Sequence, residues 1–136
     1  MDELENLLAE PILKRNVEFA ALFVLNYESL KQYVVDQVRG FYAEAITFDG
    51  DEIKYKESDE YKKQVRKLDT QIDTASMKWF MDAGAITEQE LDLYHTCRKR
   101  RNDIIHELLK NLSLGFNEND VELFSNMVHL YQKIDN

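Results

Sequence analysis

The chain has 136 residues and a mass of 16.1 kDa, the size of one ordinary domain. Hydrophobic residues make up 44 % of it and charged residues 32 %, while four Gly and one Pro exclude a loop-rich β-sandwich and a collagen-like or disordered chain. The formal net charge of −9 gives a summed field that repels phosphate, which excludes a general nucleic-acid coat protein; contact with nucleic acid would need a local basic patch.

The periodicity is helical almost throughout. A short leading segment carries Leu4, Leu7 and Leu8, and Pro11 then stands where a first-turn proline belongs. From there Leu13, Val17, Ala20, Val24, Tyr27, Val34, Val38, Phe41 and Ala45 follow i+3/i+4 steps, with Lys31 as the one polar interruption. Gly40 is where this long helix bends or ends. The stretch Phe19–Tyr27 is uncharged but too short to cross a bilayer, and Met1-Asp2-Glu3 lacks the basic start of a signal peptide. A cytoplasmic chain with no membrane partner is expected. Phe48-Asp49-Gly50-Asp51 is a turn signal, and a minor hairpin within 46–55 pairs Ile46–Phe48 with Ile53–Tyr55. Asp49-Gly50-Asp51-Glu52 lacks the alternating ligands and closing Glu of a calcium loop and reads as part of that turn.

Ser58 followed by Asp59 and Glu60 starts the next helix, with a hydroxyl cap and two acids at the positive dipole end. Tyr61, Val65, Leu68, Ile72, Ala75 and Trp79 keep one apolar stripe until Gly84 ends it. Thr87-Glu88-Gln89-Glu90 is a capping box, so a helix is predicted from Glu88 to about Leu112, with Gly115 as its stop. Asn117 or Asn119 caps a last helix carrying Val121, Phe124, Val128 and Tyr131. The expected fold is all-α, a single helical bundle of four to five helices spanning 1–136.

The helix after Thr87 carries an unusual constellation. With successive residues about 100° apart, Tyr94, Cys97, Ile104, Ile105, Leu108 and Leu112 all fall within about 60° of Arg101. A guanidinium at the centre of an apolar stripe needs an acceptor or a wet interface. Arg98, His95, Asn102 and His106 lie on one flank of the stripe, and Arg101 and His106 are about 140° apart, too far around one helix to grip the same atom. A second copy of the helix, related by a two-fold axis, would bring its own Arg and His alongside. Arg98-Lys99-Arg100-Arg101 is the local basic patch, and it reads as an RNA track or as a solvated helix face.

Arg101-Asn102-Asp103-Ile104-Ile105-His106 resembles the R-N-x-x-x-H signature of the HEPN superfamily. Arg100 also satisfies the looser form of that signature, Arg then His after four to six residues, and the Asn directly after the Arg selects Arg101. The resemblance implies one HEPN-like helical domain that forms a homodimer through the 88–112 helix. Many members of that family are metal-independent endoribonucleases, among them toxins of toxin–antitoxin pairs and phage-defence effectors, and their cut leaves a 2′,3′-cyclic phosphate and a 5′-hydroxyl.

By that resemblance Arg101, His106 and Asn102 are the catalytic residues. Histidine exchanges protons around neutral pH, as base, acid or both in turn; arginine clamps a phosphate with two donors; Asn102 orients the imidazole or binds the phosphate. Arg98, Lys99, Arg100 and His95 are the candidate RNA-binding residues. No cofactor is implied, and the implied partners are RNA and an antitoxin protein of the nucleotidyltransferase type.

The competing reading is a catalytically silent HEPN-like module that binds a protein or nucleotide. In that module an internal carboxylate would satisfy Arg101, and the motif would only fix dimer register. A metal site is not expected: Cys97 is the single cysteine, and His95 and His106 do not stand at metal-ligand spacing. Cys97 reads as a small core residue, His129 as surface or helix packing, and Trp79 and Phe80 carry no nucleic-acid motif.

Overall fold

A computed structural model of the chain describes residues 10–42, 45–49, 52–56 and 58–136. The fold is an all-α helical bundle with six α-helices among these residues, one more than the upper expectation. They are α1 (Glu10–Phe41), α2 (Asp59–Gln64), α3 (Ile72–Asp82), α4 (Glu88–His106), α5 (Leu108–Leu114) and α6 (Glu118–Asp135). Strands β1 (Ala45–Asp49) and β2 (Glu52–Lys56) form an antiparallel hairpin in the expected register, Ile46 opposite Tyr55 and Phe48 opposite Ile53. The leading segment with Leu4, Leu7 and Leu8 lies outside the described residues, as do Gly50 and Asp51 of the predicted turn.

Local signals place most of the helix ends. The Ser58 hydroxyl accepts from the Tyr61 amide and starts α2. Thr87 Oγ1 accepts from the Glu90 amide at 3.1 Å, and Glu90 Oε1 accepts from the Thr87 amide at 2.9 Å, closing the predicted capping box of α4. Asn117, rather than Asn119, caps α6, reciprocally with Asp120. Gly84 and Gly115 take φ of +81° and +79° just past α3 and α5, the left-handed region that glycine enters without a steric penalty.

The count of six comes from two breaks that the apolar periodicity does not reveal, each dividing one predicted helix in two. The predicted 58–84 helix is interrupted after Gln64 by a short 3₁₀ turn, Arg66–Leu68, and by extended backbone at Asp69. There Asp69 Oδ1 accepts from the Gln71 amide, while Lys78 Nζ donates to the Leu68 carbonyl and pairs with Asp69 at 3.1 Å. This side-chain competition for backbone groups is how Asp leaves a helix. The predicted 88–112 helix breaks at Glu107, whose φ of −121° and ψ of 46° are not helical.

The chain divides into two compact units, one holding 10–29 and 92–136 among the described residues and the other 30–91. In the second, Val38, Tyr61, Val65 and Ala75 form a buried cluster, with Tyr42, Leu68, Ile72, Trp79 and Phe80 packed on it. The Trp79 indole N–H donates to the Tyr42 hydroxyl at 2.9 Å, giving a half-buried indole its polar partner. The stripe expected from Tyr61 to Trp79 thus packs together although its helix is broken.

In the first unit the buried residues are Asn16, Ala20, Phe23, Tyr27, Tyr94, Cys97, Ile104, Asn111, Ser113, Met127, Leu130 and Ile134. Two stripes are rotated from expectation. On α1, Asn16, Ala20, Phe23 and Tyr27 turn inward and Val17 is exposed; on α6, Met127, Leu130 and Ile134 are buried and Val121 is exposed. Asn16 can face inward because its Nδ2 donates to the Leu112 carbonyl at 2.6 Å. No helix of the described residues is long and apolar enough to cross a membrane.

Candidate active site on helix α4

All residues of the candidate site fall in the first unit. Arg101 is partly buried, its side chain 18 % exposed, on the border between the buried face of α4 (Tyr94, Cys97, Ile104) and the exposed Ile105 and Leu108. The acceptor that a cation on this stripe requires is Glu28 of α1: Nη1 of Arg101 lies 2.8 Å from Glu28 Oε1. The guanidinium also stands over the Tyr27 ring, 4.7 Å from its centroid, a cation–π contact. Its Nε is buried and has no hydrogen-bond partner.

Tyr27 organises this corner. Its ring stacks on Tyr94 with centroids 5.5 Å apart, and its hydroxyl lies 3.3 Å from that of Tyr94 and accepts from Arg98 Nε at 3.2 Å. The Arg98 guanidinium in turn lies over Tyr94, 5.4 Å from the ring centroid. Arg98 and Arg101 therefore converge on one buried tyrosine pair. Phenol edges and faces give the two cations an electron-rich lining.

Arg100 faces a different set of groups. It makes a two-armed contact with Asp120, Nε to Oδ1 at 2.8 Å and Nη2 to Oδ2 at 3.3 Å. Its Nη1 donates to Asn111 Oδ1 at 2.8 Å and pairs with Asp103, and the guanidinium covers Phe116 at 5.3 Å. Lys99 is exposed beside it, in a shallow groove with Thr96, Asp103 and Leu123. The basic tetrapeptide is thus no uniform track. Arg100 is knitted into α5 and α6, Arg98 and Arg101 into α1, and Lys99 faces solvent.

Asn102 and His106 are both exposed, His106 on the last residue of α4. His95 is half-buried with its ring against Tyr94. On one helix Arg101 and His106 point about 140° apart, so a single chain does not direct them at a common atom. Among the described residues, no group of three or more His, Cys, Asp or Glu is gathered closely enough to hold a metal ion. Burial pushes the Cys97 thiol up to about 12, which makes it a protonated core residue.

One helical turn along the chain from Arg101, Ile104 and Ile105 line an apolar groove with Leu108 and with Val17, Ala21 and Val24 of α1. Ile105 and Leu108 keep 47 % and 48 % of their surface exposed, and Leu109 and Leu114 continue the apolar surface along α5. Glu28, Tyr27 and Asn111 are the residues that sequence reasoning missed. Tyr27 has the spacing of a core residue, and Glu28 and Asn111 read as ordinary polar helix positions. Only the pairing of α1 with α4, and of α5 with α4, gives them their roles. No family model, curated protein or solved structure matches this chain.

Proposed function

We propose that the chain is a metal-independent endoribonuclease of the HEPN type that works as a homodimer, in the setting of a toxin or a phage-defence effector. The observation that carries this reading is the apolar surface left uncovered on the motif helix itself. Ile105, the residue before His106, and Leu108, just past the helix end, are half exposed and line the apolar groove. Surface of this kind on a single chain favours a partner. A second copy docked along it about a two-fold axis would place Arg101 and His106 of both subunits on one cleft, which a single helix cannot do.

The chemistry follows from the residue types. The ribose 2′-oxygen attacks phosphorus as the bond from phosphorus to the 5′-oxygen breaks. The 2′-hydroxyl gives up its proton and the departing 5′-oxygen receives one, with the His106 imidazole as base, as acid or as both in turn across the dimer, and the products are a 2′,3′-cyclic phosphate and a 5′-hydroxyl. Arg101 pairs with the non-bridging oxygens as negative charge builds, and Asn102 orients His106 or the phosphate. RNA contact is assigned to Arg98, Lys99 and His95; Arg100 would have to release Asp120 and Asp103 to join them. An antitoxin protein would act by covering the same cleft.

A specific observation favours a second reading, a catalytically silent HEPN-like binding module: the Glu28 carboxylate already pairs with Arg101 within the chain. RNA cleavage by the purified protein in EDTA, beside Arg101→Ala and His106→Ala, separates the two. The ribonuclease reading expects cyclic-phosphate products, lost in both variants while each stays folded. If messenger, transfer and ribosomal RNA all remain uncut, the silent module replaces it. Leu108→Glu should leave the protomer folded and lower the sedimentation coefficient to that of a monomer; an unchanged value would remove the dimer along this surface.

A further inference from the structure

We propose that Arg101 is an anion site held closed by Glu28, so that the Glu28 carboxylate occupies the position of a phosphate oxygen and sets the affinity of the site for phosphodiesters. The inference rests on the ribonuclease reading only in naming an RNA phosphodiester as the anion.

The ion pair is built to be exchanged. Arginine grips a carboxylate most firmly through two parallel N–H donors, but only Nη1 reaches Glu28, and Nε has no acceptor. The two partners also differ in setting: Glu28 is 41 % exposed and Arg101 18 %, so the cation is held in the fold while its counter-ion stands in water. An anion arriving from solvent meets Glu28 first and can replace it without opening the core.

The cradle does not depend on Glu28. Tyr27 is fully buried, stacked on Tyr94 and bonded by Arg98, and its ring supports the guanidinium 4.7 Å away whichever anion sits on the other side. Arg100 is different, because Asp120 holds it through two arms and Asn111 through a third. Of these two cations, Arg101 is the one whose carboxylate can be lost without dismantling a helix cap or a helix junction. In a chain of net charge −9, neutralising that one carboxylate also removes the nearest repulsion to a phosphate.

The test uses the full chain as wild type, Glu28→Gln, Glu28→Asp, Arg101→Ala and the Glu28→Gln/Arg101→Ala double variant. Inorganic phosphate is titrated while the Arg101 Nε–Hε signal is followed by NMR, assigned by its loss in Arg101→Ala. Glu28→Gln should bind phosphate at Arg101 on the order of tenfold tighter than wild type, as expected for removing one adjacent negative charge. Glu28→Asp, whose shorter carboxylate reaches the guanidinium less well, should fall between them, and the double variant should lose the gain. An Arg101 signal that stays still in every protein, or moves at the same phosphate concentration with and without the carboxylate, overturns the proposal. Weaker phosphate binding by Glu28→Gln in a folded protein also overturns it, since Glu28 would then be a positioning residue. The ribonuclease reading fails separately, if no RNA is cut by wild type or by Glu28→Gln; the phosphate titration decides the anion site in either case.

Discussion

The side-chain amide of Asn111 donates to the backbone carbonyl of Glu107 at 2.9 Å, and that contact lies at the break between α4 and α5. The same Nδ2 reaches the Asp103 carbonyl at 3.2 Å, and Oδ1 accepts from Arg100. Both carbonyls also accept a backbone N–H, that of Asp103 from Glu107 and that of Glu107 from Asn111, so the side chain adds a second bond to each where α4 ends at His106. Asn111→Leu keeps the branching of the side chain but removes the second hydrogen bond of both carbonyls, which keep their backbone partners, and one of the two acceptors of Arg100 Nη1, which keeps Asp103. It should cost about 1–2 kcal/mol in urea unfolding, with the m-value unchanged. A cost under ~0.5 kcal/mol would show that the break does not rely on Asn111.

Arg100 and Lys99 are adjacent in sequence and opposite in role. Arg100→Ala leaves Asp120, which also closes the cap of α6, without its cation. A loss of roughly 2–3 kcal/mol is expected, with a lower melting temperature read by circular dichroism. Lys99→Ala touches an exposed side chain and should change stability by less than about 0.5 kcal/mol. Under the ribonuclease reading its effect appears in RNA affinity alone, as a shallower dependence on salt concentration.

His106→Ala should be silent in stability, because the side chain is exposed at the end of its helix. Under the ribonuclease reading the same variant loses cleavage, so paired unfolding and activity measurements separate the roles. Arg101→Lys should cost a moderate amount of stability and, under the ribonuclease reading, most of the cleavage. An ammonium keeps the charge but forfeits the planar face that lies over Tyr27. A stability loss of about 1 kcal/mol and a cleavage rate near that of Arg101→Ala are expected.

Cys97 supplies a pH dependence with a definite sign. Its thiol is raised from 9.0 to about 12 by burial, so the folded state holds a proton that the unfolded chain releases. The stabilisation is complete below pH 9.0 and is lost as pH rises through that window toward about 12. The slope from this one group approaches ~1.4 kcal/mol per pH unit. Comparing wild type with Cys97→Ala across pH 8 to 11 isolates it: the alanine variant should show the shallower decline. A thiol reagent at pH 8 should modify Cys97 only in denaturant, since the residue is buried.

Helix starts and stops were legible in the sequence wherever one side chain serves a backbone group a few positions away. Ser58 with Tyr61, Thr87 with Glu90, Asn117 with Asp120, and the left-handed glycines at 84 and 115 are all of this kind. The register of the β1–β2 hairpin follows from the same short range. So does the motif on α4, because spacing on one helix is already spacing in space.

Tertiary structure decided what depends on a neighbour distant in the chain. Periodicity shows that one face of α1 is apolar, but packing chose the face with Asn16 and Phe23, since Leu112, 96 positions from Asn16, offers that amide a carbonyl. The break at Glu107 needed Asn111 and its partners, and the one at Asp69 needed Lys78. Arg101 shows the division most clearly. Its place on an apolar stripe demands an acceptor, and that demand is written in the chain. That the acceptor is Glu28, held on one arm at the edge of water above Tyr27, depends on α1 and α4 lying side by side. Hydrophobic pattern is non-directional and selects faces only approximately; hydrogen bonds and ion pairs need matched atoms, and those meet only once the helices have packed.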